Sequence, residues 1–522
     1  MKMNWKSMAL VCMLVVMMVF TSACGSSSEK GGGGGTPGGG DTGESPDKTL
    51  TVGTLDAADT FDPTVNSSSG LGLSLVYDTI LYRDPESGEI KSDLAETWEF
   101  SDPTTVVLNI REGIKFSNGD DLTPEDVMFS MQRFTTVNTQ FDPGYANIDY
   151  DKSTIEGNKI TLKLIEPNPD FLLGLCNDRW ACVVDKKYVE STEAEAFWDK
   201  PVGTGAYTCV ENVAGSHATF AKKSDYWGTA PESETITINY YPELTTMMVD
   251  YENNVLDIAL DIGESEYNNA ENGSYADTEI KILPAYDILS VALPQYMECF
   301  KDIKVRRAVA MALDVEAINK AVYGTLGTTA DSILIKGIEF YKSIGINKYD
   351  PEQAKKLLAE AGYSENELEL LMLFPSMPTN DKASAIVQAQ LAEIGIKLNV
   401  DSGDFATVIP RLMNNECELA ISGTGGGTYF ASTIFSLIDK SSTNASIRIN
   451  DDEFNKLVEE GNTSLDTAVR AEAYGKAQQW MYDNYWNIPI SYPNTATLYH
   501  SNVDNVKGIA ARAMDLKFVT FK

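Results

Sequence analysis

Residues 368–422 contain three short apolar runs, Leu368-Glu-Leu-Leu-Met-Leu-Phe374, Ile396-Lys-Leu-Asn-Val400 and Glu418-Leu-Ala-Ile-Ser422. Their length and composition predict three strands. Residues 382–394 and 405–414 lie between the runs and predict two helices, the first of which is followed directly by Gly395. The order strand, helix, strand, helix, strand predicts a mostly parallel sheet with right-handed crossovers, and therefore a lobe of α/β architecture.

The N-terminal part of the body has a different pattern. Residues 49–55, 105–110 and 160–165 each predict a strand. Between the last two, Thr123-Pro124-Glu125-Asp126 supplies a capping hydroxyl, a proline suited to the first helical position and acids for the first turn. These segments look antiparallel, so they predict a second lobe that is built differently from the first.

The chain of 522 residues carries a formal net charge of −35, which excludes binding of nucleic acid through a general basic surface. Its 43% hydrophobic and 10% aromatic content indicates large packed cores rather than a disordered polyelectrolyte. The sequence has two histidines, His217 and His500, and no C-x-x-C pair. Because histidine metal sites and Ser-His-Asp triads need imidazole at defined positions, two histidines leave little room for either, and enzymes without histidine remain possible. We assign no metal, no cofactor and no catalytic residue.

The N-terminus has the pattern of an export signal. Lys2 and Lys6 precede the apolar run 8–20, which is too short to span a bilayer as an ordinary helix. The following Thr21-Ser22-Ala23-Cys24-Gly25 resembles the lipobox of bacterial lipoproteins, with Thr21 where leucine is usual. The resemblance implies cleavage before Cys24 and lipidation of its thiol. The alternative is cleavage by the ordinary signal peptidase, with Cys24 as an incidental thiol.

Residues 25–48 are rich in Gly, Ser and Pro and include ten glycines, so they cannot form a packed core. As a flexible tether they reach roughly 25–30 Å. We therefore assign residues 1–23 to a lipoprotein signal peptide and residues 24–48 to the lipidated cysteine and its tether. The body keeps five cysteines, Cys176, Cys182, Cys209, Cys299 and Cys417. Cys176 and Cys182 are close enough in sequence to pair, and the sequence does not decide whether they do.

From about Thr49 to the C-terminus the chain resembles the extracellular solute-binding proteins of ABC importers, family 5, of the dipeptide- and oligopeptide-binding type. The resemblance rests on several blocks in the same order: Leu94-Ala-Glu-Thr-Trp-Glu99, Ile110-Arg-Glu-Gly-Ile-Lys-Phe-Ser-Asn-Gly119, Leu122-Thr-Pro-Glu-Asp-Val127, Pro201-Val-Gly-Thr-Gly-Ala-Tyr207, Asp225-Tyr-Trp-Gly228, Phe300-Lys-Asp-Ile-Lys-Val-Arg-Arg-Ala-Val309 and Tyr349-Asp-Pro-Glu-Gln-Ala-Lys-Lys-Leu-Leu358. A series of blocks is far more specific than any single one.

The resemblance implies an α/β, two-lobed periplasmic-binding-protein-like fold with an extra domain inserted in the first lobe. The implied boundaries are 49–84, 198–284 and 489–522 for lobe 1, 85–197 for the inserted domain and 285–488 for lobe 2. Pro284 and Pro489 lie near the implied crossings between the lobes. Since proline limits backbone freedom, it suits a hinge there.

The ligand is expected between the lobes, at loops that follow strand ends. The expected ligand-binding residues are Asn66, Ser67, Ser68, Arg179, Trp180, Tyr286, Asp287, Gly423, Thr424, Gly425, Tyr429 and Phe430. The Gly-rich run 423–430 matches neither the P-loop nor the dinucleotide fingerprint. In the peptide-binding members the loop at this place carries an aspartate that pairs with the α-amino group of the peptide. Residues 423–430 contain no acid, and Asp287 is the expected substitute.

We therefore expect a membrane-anchored, extracytoplasmic binding component of an ABC transporter that breaks no bond. It is expected to act as a monomer, to hold a small polar solute, a di- or oligopeptide, and to deliver it to the permease transmembrane subunits. Its expected contact with the membrane is the lipid anchor, and no nucleic-acid partner is expected. One alternative is a secreted, glycosidase-like hydrolase with paired carboxylates. Another is a receptor of the same fold that serves signalling or binds a non-peptide ligand such as a sugar.

Overall fold

The computed structural model describes residues 48–66, 70–84, 87–138, 143–191, 199–423, 430–509 and 513–522. The chain divides into two units at Pro46 and Asp47, and the described residues belong to the second, Asp47–Lys522. The predicted signal peptide, the predicted tether as far as residue 47, and Cys24 lie outside the described residues.

The described strands have the following bounds: β1 (Thr49–Thr54), β2 (Leu81–Arg83), β3 (Ile90–Ser92), β4 (Ala95–Asp102), β5 (Thr105–Ile110), β6 (Thr154–Glu156), β7 (Lys159–Lys163), β8 (Tyr207–Val213), β9 (His217–Lys222), β10 (Thr235–Tyr240), β11 (Ile258–Ile262), β12 (Thr278–Pro284), β13 (Leu289–Ala292), β14 (Gly327–Thr329), β15 (Leu368–Pro375), β16 (Ile396–Gly403), β17 (Leu419–Gly423), β18 (Asn487–His500), β19 (Val503–Asp504), β20 (Gly508–Ile509), β21 (Ala513–Met514) and β22 (Thr520–Phe521).

The described α-helices have these bounds: α1 (Leu73–Val76), α2 (Pro124–Val137), α3 (Phe171–Gly174), α4 (Lys186–Ser191), α5 (Leu244–Glu252), α6 (Glu264–Glu271), α7 (Ile303–Ala312), α8 (Val315–Tyr323), α9 (Pro351–Glu360), α10 (Pro378–Glu393), α11 (Phe405–Met413), α12 (Ala431–Ser436), α13 (Asp452–Thr463) and α14 (Thr467–Asn484). Short 3-10 turns are at Tyr145–Asn147, Glu298–Lys301, Gly324–Leu326 and Leu516–Phe518.

The predicted β-α-β-α-β unit is confirmed. β15 pairs in parallel with β16 along its whole length, and it also pairs in parallel with β17 through Met372 and Leu373. Helix α10 begins at Pro378, four residues before the predicted start, because proline fits the first turn of a helix, where an N–H has no partner within the helix. The carboxyl ends of β15 and β17 therefore lie at the same edge of the sheet.

One long strand joins the two halves of the main sheet. The strand order is β16-β15-β17-β13-β18-β11-β1-β10-β9-β8, with β12 and β14 also paired to β18. The 14-residue β18 pairs with β13 near Pro489 and with β12 and β11 from Asn494 onward. Strands β12 and β13, joined through residues 285–288, cross between the same two halves. The halves are thus connected by extended backbone.

The N-terminal strands are only partly antiparallel. Strands β4-β5-β7-β6 form a separate antiparallel sheet, as expected, and α2 covers it with Val127, Met131 and Phe134 in a shared core. In contrast, β1 pairs in parallel with both β10 and β11. The prediction of an antiparallel arrangement is wrong for β1. Its partner strands come almost 200 residues later in the chain, and the local sequence pattern does not reveal such distant pairing.

Gly203 and Gly205 lie against the backbone of Val76, at the end of α1. The Gly205 amide donates to the Val76 carbonyl oxygen at 2.8 Å, and a methyl group on Gly203 would lie 2.1 Å from the same oxygen. No side chain fits at this contact. The close approach fixes the position of the segment after α1, which carries Tyr77, Asp78 and Thr79.

Gly203→Ala is expected to lower the free energy of unfolding by about 1–3 kcal/mol, because the added methyl group displaces backbone rather than a side chain. Gly263→Ala is the control, since its methyl group would meet nothing within 4 Å. Chemical denaturation of both variants measures the difference. Equal stability of the two variants would contradict the close approach.

The cysteines of the body are unpaired. Cys176, Cys182, Cys209, Cys299 and Cys417 are all free thiols, and all but Cys176 are buried. The thiols of Cys176 and Cys182 instead donate to the carbonyl oxygens of Leu172 and Asp178, each at 3.3 Å. The question that the sequence left open is therefore answered: these two residues are not bridged in this structure.

Candidate functional site

The crossing between β12 and β13 turns sharply at Tyr286. This residue has a φ of +46°, a left-handed conformation that is uncommon for any residue except glycine. The turn sends neighbouring side chains to different places, because Tyr286 lines one cavity and Asp287 lines another. Strained backbone of this kind is frequent at binding sites. The two cavities are described in turn below, as the strand-end cavity and the acidic cavity.

The strand-end cavity has a volume of about 480 Å³ and lies at the carboxyl ends of β15 and β17. Its lining includes the last residue of each strand, Pro375 and Gly423, and the crossing residues Pro493 and Asn494. Polar groups come from Thr379, Asn380, Ser422, Asn444, Ser446 and Thr495. Among its described lining residues, Asp287 is the only charged side chain. The cavity therefore offers amides, hydroxyls and one carboxylate.

Asp287 lies beside the start of the Gly-rich run. A methyl group on Gly423 would be 3.3 Å from Oδ1 of Asp287, and the Ile288 amide donates to the same oxygen at 2.8 Å. The carboxylate of Asp287 is thus held at the end of β17. Of the other predicted ligand residues in this run, Thr424, Gly425 and Tyr429 lie outside the described residues, as do Ser67 and Ser68 in the first loop.

The acidic cavity has a volume of about 350 Å³ and is built from distant parts of the chain. It is lined by Ser74, Tyr77, Asp78, Thr79, Tyr82, Arg83, Ser87, Gly88, Asp93, Leu173, Cys176, Asn177, Asp178, Tyr286, Gly337, Phe430, Asp515 and Lys517. Tyr286, Gly337 and Phe430 come from the residues between β12 and β18, which we call the β15 half of the body. The others come from residues 74–93, from residues 173–178 around α3 and from residues 515–517 near the C-terminus. Tyr286 and Phe430, both predicted from the sequence, therefore meet in this cavity.

The carboxylates of the acidic cavity are held by buried donors. Asp78 accepts hydrogen bonds from the Tyr226 hydroxyl at 3.0 Å and the Trp227 indole N–H at 2.8 Å. Asp93 accepts from the amide and the hydroxyl of Thr79, both at 3.0 Å. Lys517 lies 3.7 Å from a carboxylate oxygen of Asp515. These contacts bring together the Asp-Tyr-Trp-Gly block, the segment after α1 and the C-terminus.

Burial alters the ionisation of these acids. It raises the pKa of Asp93 to about 7, with a further increase from the nearby Asp78 carboxylate, and it raises the pKa of Asp178 to about 6. Burial also raises the pKa of Asp515, although Lys517 acts in the opposite direction. A positive charge placed among these acids would favour their ionised forms.

Three predicted ligand residues, Asn66, Arg179 and Trp180, lie close together. None of them is among the described lining residues of the two cavities. Arg179 donates to the Asn66 carbonyl oxygen at 2.7 Å, and its guanidinium lies 5.7 Å from the centre of the Trp180 ring. Trp180 packs beside Phe134, with ring centres 6.1 Å apart. The Asn66 side chain donates to Asp59 and to the Thr60 carbonyl oxygen. A ligand role for these residues stays a prediction.

A buried ion pair that the sequence analysis did not identify joins the α3 segment to the β15 half. Arg470 of α14 donates to both carboxylate oxygens of Asp170 at 2.7 Å, and the two side chains are only 7% and 11% exposed. Ser432 of α12 also donates to Asp170, and Arg470 donates to the Gly461 carbonyl oxygen at 2.9 Å. We call this group the Asp170–Arg470 latch. No sequence signal points to it, because the partners are 300 residues apart.

Within the described part of the chain, no helix is long and apolar enough to cross a membrane. The same residues contain no group of three or more His, Cys, Asp or Glu side chains positioned to hold a metal ion.

Comparison with known proteins identifies similar sequences and folds. The family model described as bacterial extracellular solute-binding proteins, family 5 Middle, matches residues 89–446. Heme-binding protein A of Haemophilus influenzae is 26% identical over 457 residues, covering 80% of this chain and 81% of that protein. The dipeptide binding protein of Pseudoalteromonas sp. SM9913, solved in complex with Met-Leu, has a TM-score of 0.77 at 23% identity and covers 91% of this chain and 100% of its own. NikA from Brucella suis, solved in complex with Fe(III)-EDTA, has a TM-score of 0.82 at 18% identity with the same coverage. The predicted two-lobed α/β fold is confirmed.

Proposed function

This chain belongs to the bacterial extracellular solute-binding proteins of family 5, which serve ABC importers, and on that premise we propose that it captures a peptide between its lobes and delivers it to a permease. In this proposal residues 49–84, 198–284 and 489–522 form lobe 1, residues 85–197 form the inserted domain and residues 285–488 form lobe 2. The protein breaks no bond in its ligand. It binds the peptide, closes its two lobes around it and releases it to the permease.

The observation that carries the proposal is the pair of cavities on either side of the crossing at Tyr286 and Asp287. A ligand that contacts both halves of the body favours the closed arrangement by its extra affinity for that arrangement. Lobe closure around a ligand needs hinge segments that absorb changes in backbone angles. The backbone at 285–288 and around Asn494 lies at the crossings and lines the strand-end cavity, which supports coupling between occupancy and closure.

The proposed cargo is a di- or oligopeptide with a free amino terminus. Asp287 is the carboxylate for that amine, because it lies at the end of β17, beside the loop that holds the aspartate in peptide-binding members of the family. The amide and hydroxyl side chains of the strand-end cavity suit the peptide backbone. Since the described lining of this cavity has no cation, the carboxyl end of the peptide is not paired with a base there. This arrangement suits peptides longer than a dipeptide.

We further propose that the mature protein is held on the outer face of the cell membrane through lipid on Cys24. The tether of residues 25–48 allows the body to stay near the permease while it opens and closes. A body with this strongly acidic composition is repelled by anionic lipid, so a covalent anchor rather than a basic patch holds it at the membrane. Mass spectrometry of the protein extracted from membranes tests this directly, through the mass of the N-terminal residue.

Native mass spectrometry after gentle purification, followed by thermal shift against defined peptide and sugar pools, tests the proposed cargo. A ligand at 100 times its Kd adds about 2.7 kcal/mol to the stability of the folded protein. Stabilisation by peptides, without cleavage of the peptide, is the expected result. Stabilisation by sugars alone would overturn the peptide cargo, and cleavage of a peptide or sugar would overturn the assignment as a binding protein.

Asp287→Asn is expected to weaken the binding of free peptides by about 10- to 100-fold, because a charge-assisted hydrogen bond to the ligand amine is lost. N-acetylated peptides, which lack the charge, are expected to bind the variant and the unaltered protein equally. Isothermal titration calorimetry measures both. Asp381→Asn is the control, since Asp381 is exposed near the end of β15 and does not line the cavity. Equal affinity of free peptides for Asp287→Asn and Asp381→Asn would remove Asp287 from the site.

A further inference from the structure

The acidic cavity has more carboxylates than its own cations neutralise. Its lining contains four acids, Asp78, Asp93, Asp178 and Asp515, and two basic residues, Arg83 and Lys517. Arg83 is half-buried and donates to the Gly88 carbonyl oxygen at 3.3 Å. Lys517 is the basic side chain that lies within the cluster of acids, and it pairs with Asp515. The formal charge of the lining is therefore negative.

The donors from the protein satisfy these acids unequally. Asp78 and Asp93 each accept two hydrogen bonds from neutral buried groups. In contrast, Oδ1 of Asp515 is buried without a hydrogen-bond partner, and the residue is only 2% exposed. A buried acceptor without a donor costs about 1–3 kcal/mol, and such groups in folded proteins need an explanation. Asp515 lines the cavity, so this unsatisfied acceptor lies in the cavity wall.

The rest of the lining combines aromatic and apolar side chains with the polar residues Ser74, Thr79, Ser87 and Asn177. Tyr77, Tyr82, Leu173 and Phe430 line the same space as the acids. A volume of about 350 Å³ is within the range of small-molecule sites and exceeds what one bound water needs. The chemistry that fits is a positive, hydrogen-bond-donating head on an aliphatic stem, and the aromatic faces suit the same cation.

We propose that the acidic cavity receives a protonated amine or guanidinium at the end of an aliphatic side chain of the cargo, so that the protein selects peptides with Lys or Arg. This inference rests on the proposed function as a peptide receptor and names its cargo more narrowly. The side chain enters past Tyr286 and Phe430, which line the cavity from the β15 half. Tyr286 and Asp287 are adjacent in the chain and each lines one of the two cavities, so the proposal places the amino terminus of the peptide at Asp287 and its cationic side chain beyond Tyr286.

The cationic side chain of the cargo supplies the hydrogen-bond donors and the positive charge that the four acids of the cavity lack. Its N–H groups donate to Asp515, and its charge favours the ionised forms of Asp93 and Asp178, which burial otherwise disfavours. Lys517 acts on Asp515, Asp78 and Asp93 together, so one buried cation is shared among several acids. An acidic ligand side chain would instead add a fifth carboxylate to the cavity and would be rejected.

The test compares three peptides that differ only in the central side chain: Ala-Lys-Ala, Ala-norleucine-Ala and Ala-Glu-Ala. Isothermal titration calorimetry uses the purified full-length protein. We expect the lysine peptide to bind about 10- to 100-fold more tightly than the norleucine peptide, which has a similar stem without the charge, and the glutamate peptide to bind most weakly. Equal affinity for the lysine and norleucine peptides would overturn the inference.

Variants tie the selectivity to the cavity. Asp515→Asn and Asp178→Asn are each expected to reduce the lysine-to-norleucine ratio at least threefold, while Asp504→Asn, which removes an exposed acid on β19, leaves it unchanged. The second cavity variant keeps the test decisive if Asp515→Asn fails to fold when Lys517 loses its partner. Unchanged ratios in every folded cavity variant would place the selectivity elsewhere and overturn the inference.

A separate probe distinguishes failure of the inference from failure of the proposed function. n-Pentylamine carries the head and stem of the lysine side chain without any peptide. If no tripeptide binds but pentylamine stabilises the protein in thermal shift and Asp515→Asn abolishes that shift, the cationic cavity stands and the peptide cargo fails. If tripeptides bind without preference for lysine and pentylamine has no effect, the peptide cargo stands and the cationic cavity fails.

Discussion

Arg470→Met is expected to lower the affinity for the cargo at least 100-fold, because it removes the basic partner of the buried Asp170 carboxylate. The two oxygens of Asp170 each lie 2.7 Å from Arg470, and a buried charge left without its partner costs about 3–5 kcal/mol. Asp170 belongs to the α3 segment and Arg470 to α14, so separation of the two halves would let Asp170 regain water. The loss therefore falls mainly on the closed arrangement, and 3 kcal/mol corresponds to more than a hundredfold in affinity.

Two measurements detect the opening independently of ligand binding. Small-angle X-ray scattering without ligand should give a larger radius of gyration for Arg470→Met. Alkylation of Cys176 should also be faster, because this half-buried thiol lines the acidic cavity and Gly337 and Phe430 form the facing wall. Burial raises the pKa of Cys176 to about 12, so the thiol should react slowly in the closed protein.

Lys476→Met is the matched control for Arg470→Met. It breaks the Lys476–Glu472 pair on the same helix, but both of those side chains are more than half exposed, and such pairs contribute about 0–1 kcal/mol. The double variant Asp170→Asn/Arg470→Met removes both charges and should recover part of the closed population. If Arg470→Met lowers the melting temperature without changing the scattering or the affinity, the latch stabilises the fold and has no part in closure.

The features that could be predicted from the sequence are those with a local physical cause. The β15 to β17 unit was predictable from apolar runs of strand length, and the start of α2 from its capping residues, which form a complete capping box between Thr123 and Asp126. In each case neighbouring residues alone determine the outcome.

The features that could not be predicted depend on contacts across the chain. Asp170 and Arg470 are ordinary residues in their own helices, and Asp78 and Trp227 meet although they are 149 residues apart. The left-handed backbone of Tyr286 has no signal either, since a tyrosine does not favour that conformation. Tyr286 and Asp287 could be named as candidates, but the sequence did not predict that they face different cavities.

Asp93→Asn is expected to reduce a fall in stability that buried acids give the unaltered protein as the pH rises from about 4 to about 7. Burial raises the pKa of Asp93 from 3.8 to about 7, the facing Asp78 adds to the increase, and Lys517 and Thr79 oppose it. At Asp93 the folded state then binds more protons than the unfolded state between these values, so the contribution of Asp93 to stability is greatest below pH 4 and declines towards pH 7. At 1.36 kcal/mol for each pKa unit, the decline is on the order of 2–4 kcal/mol.

Asp102→Asn is the control, because hydrogen bonds lower the pKa of that exposed carboxyl. Urea unfolding at pH 4.5 and 7.5 gives the difference, and a decline of unchanged size in Asp93→Asn would assign it to another buried acid.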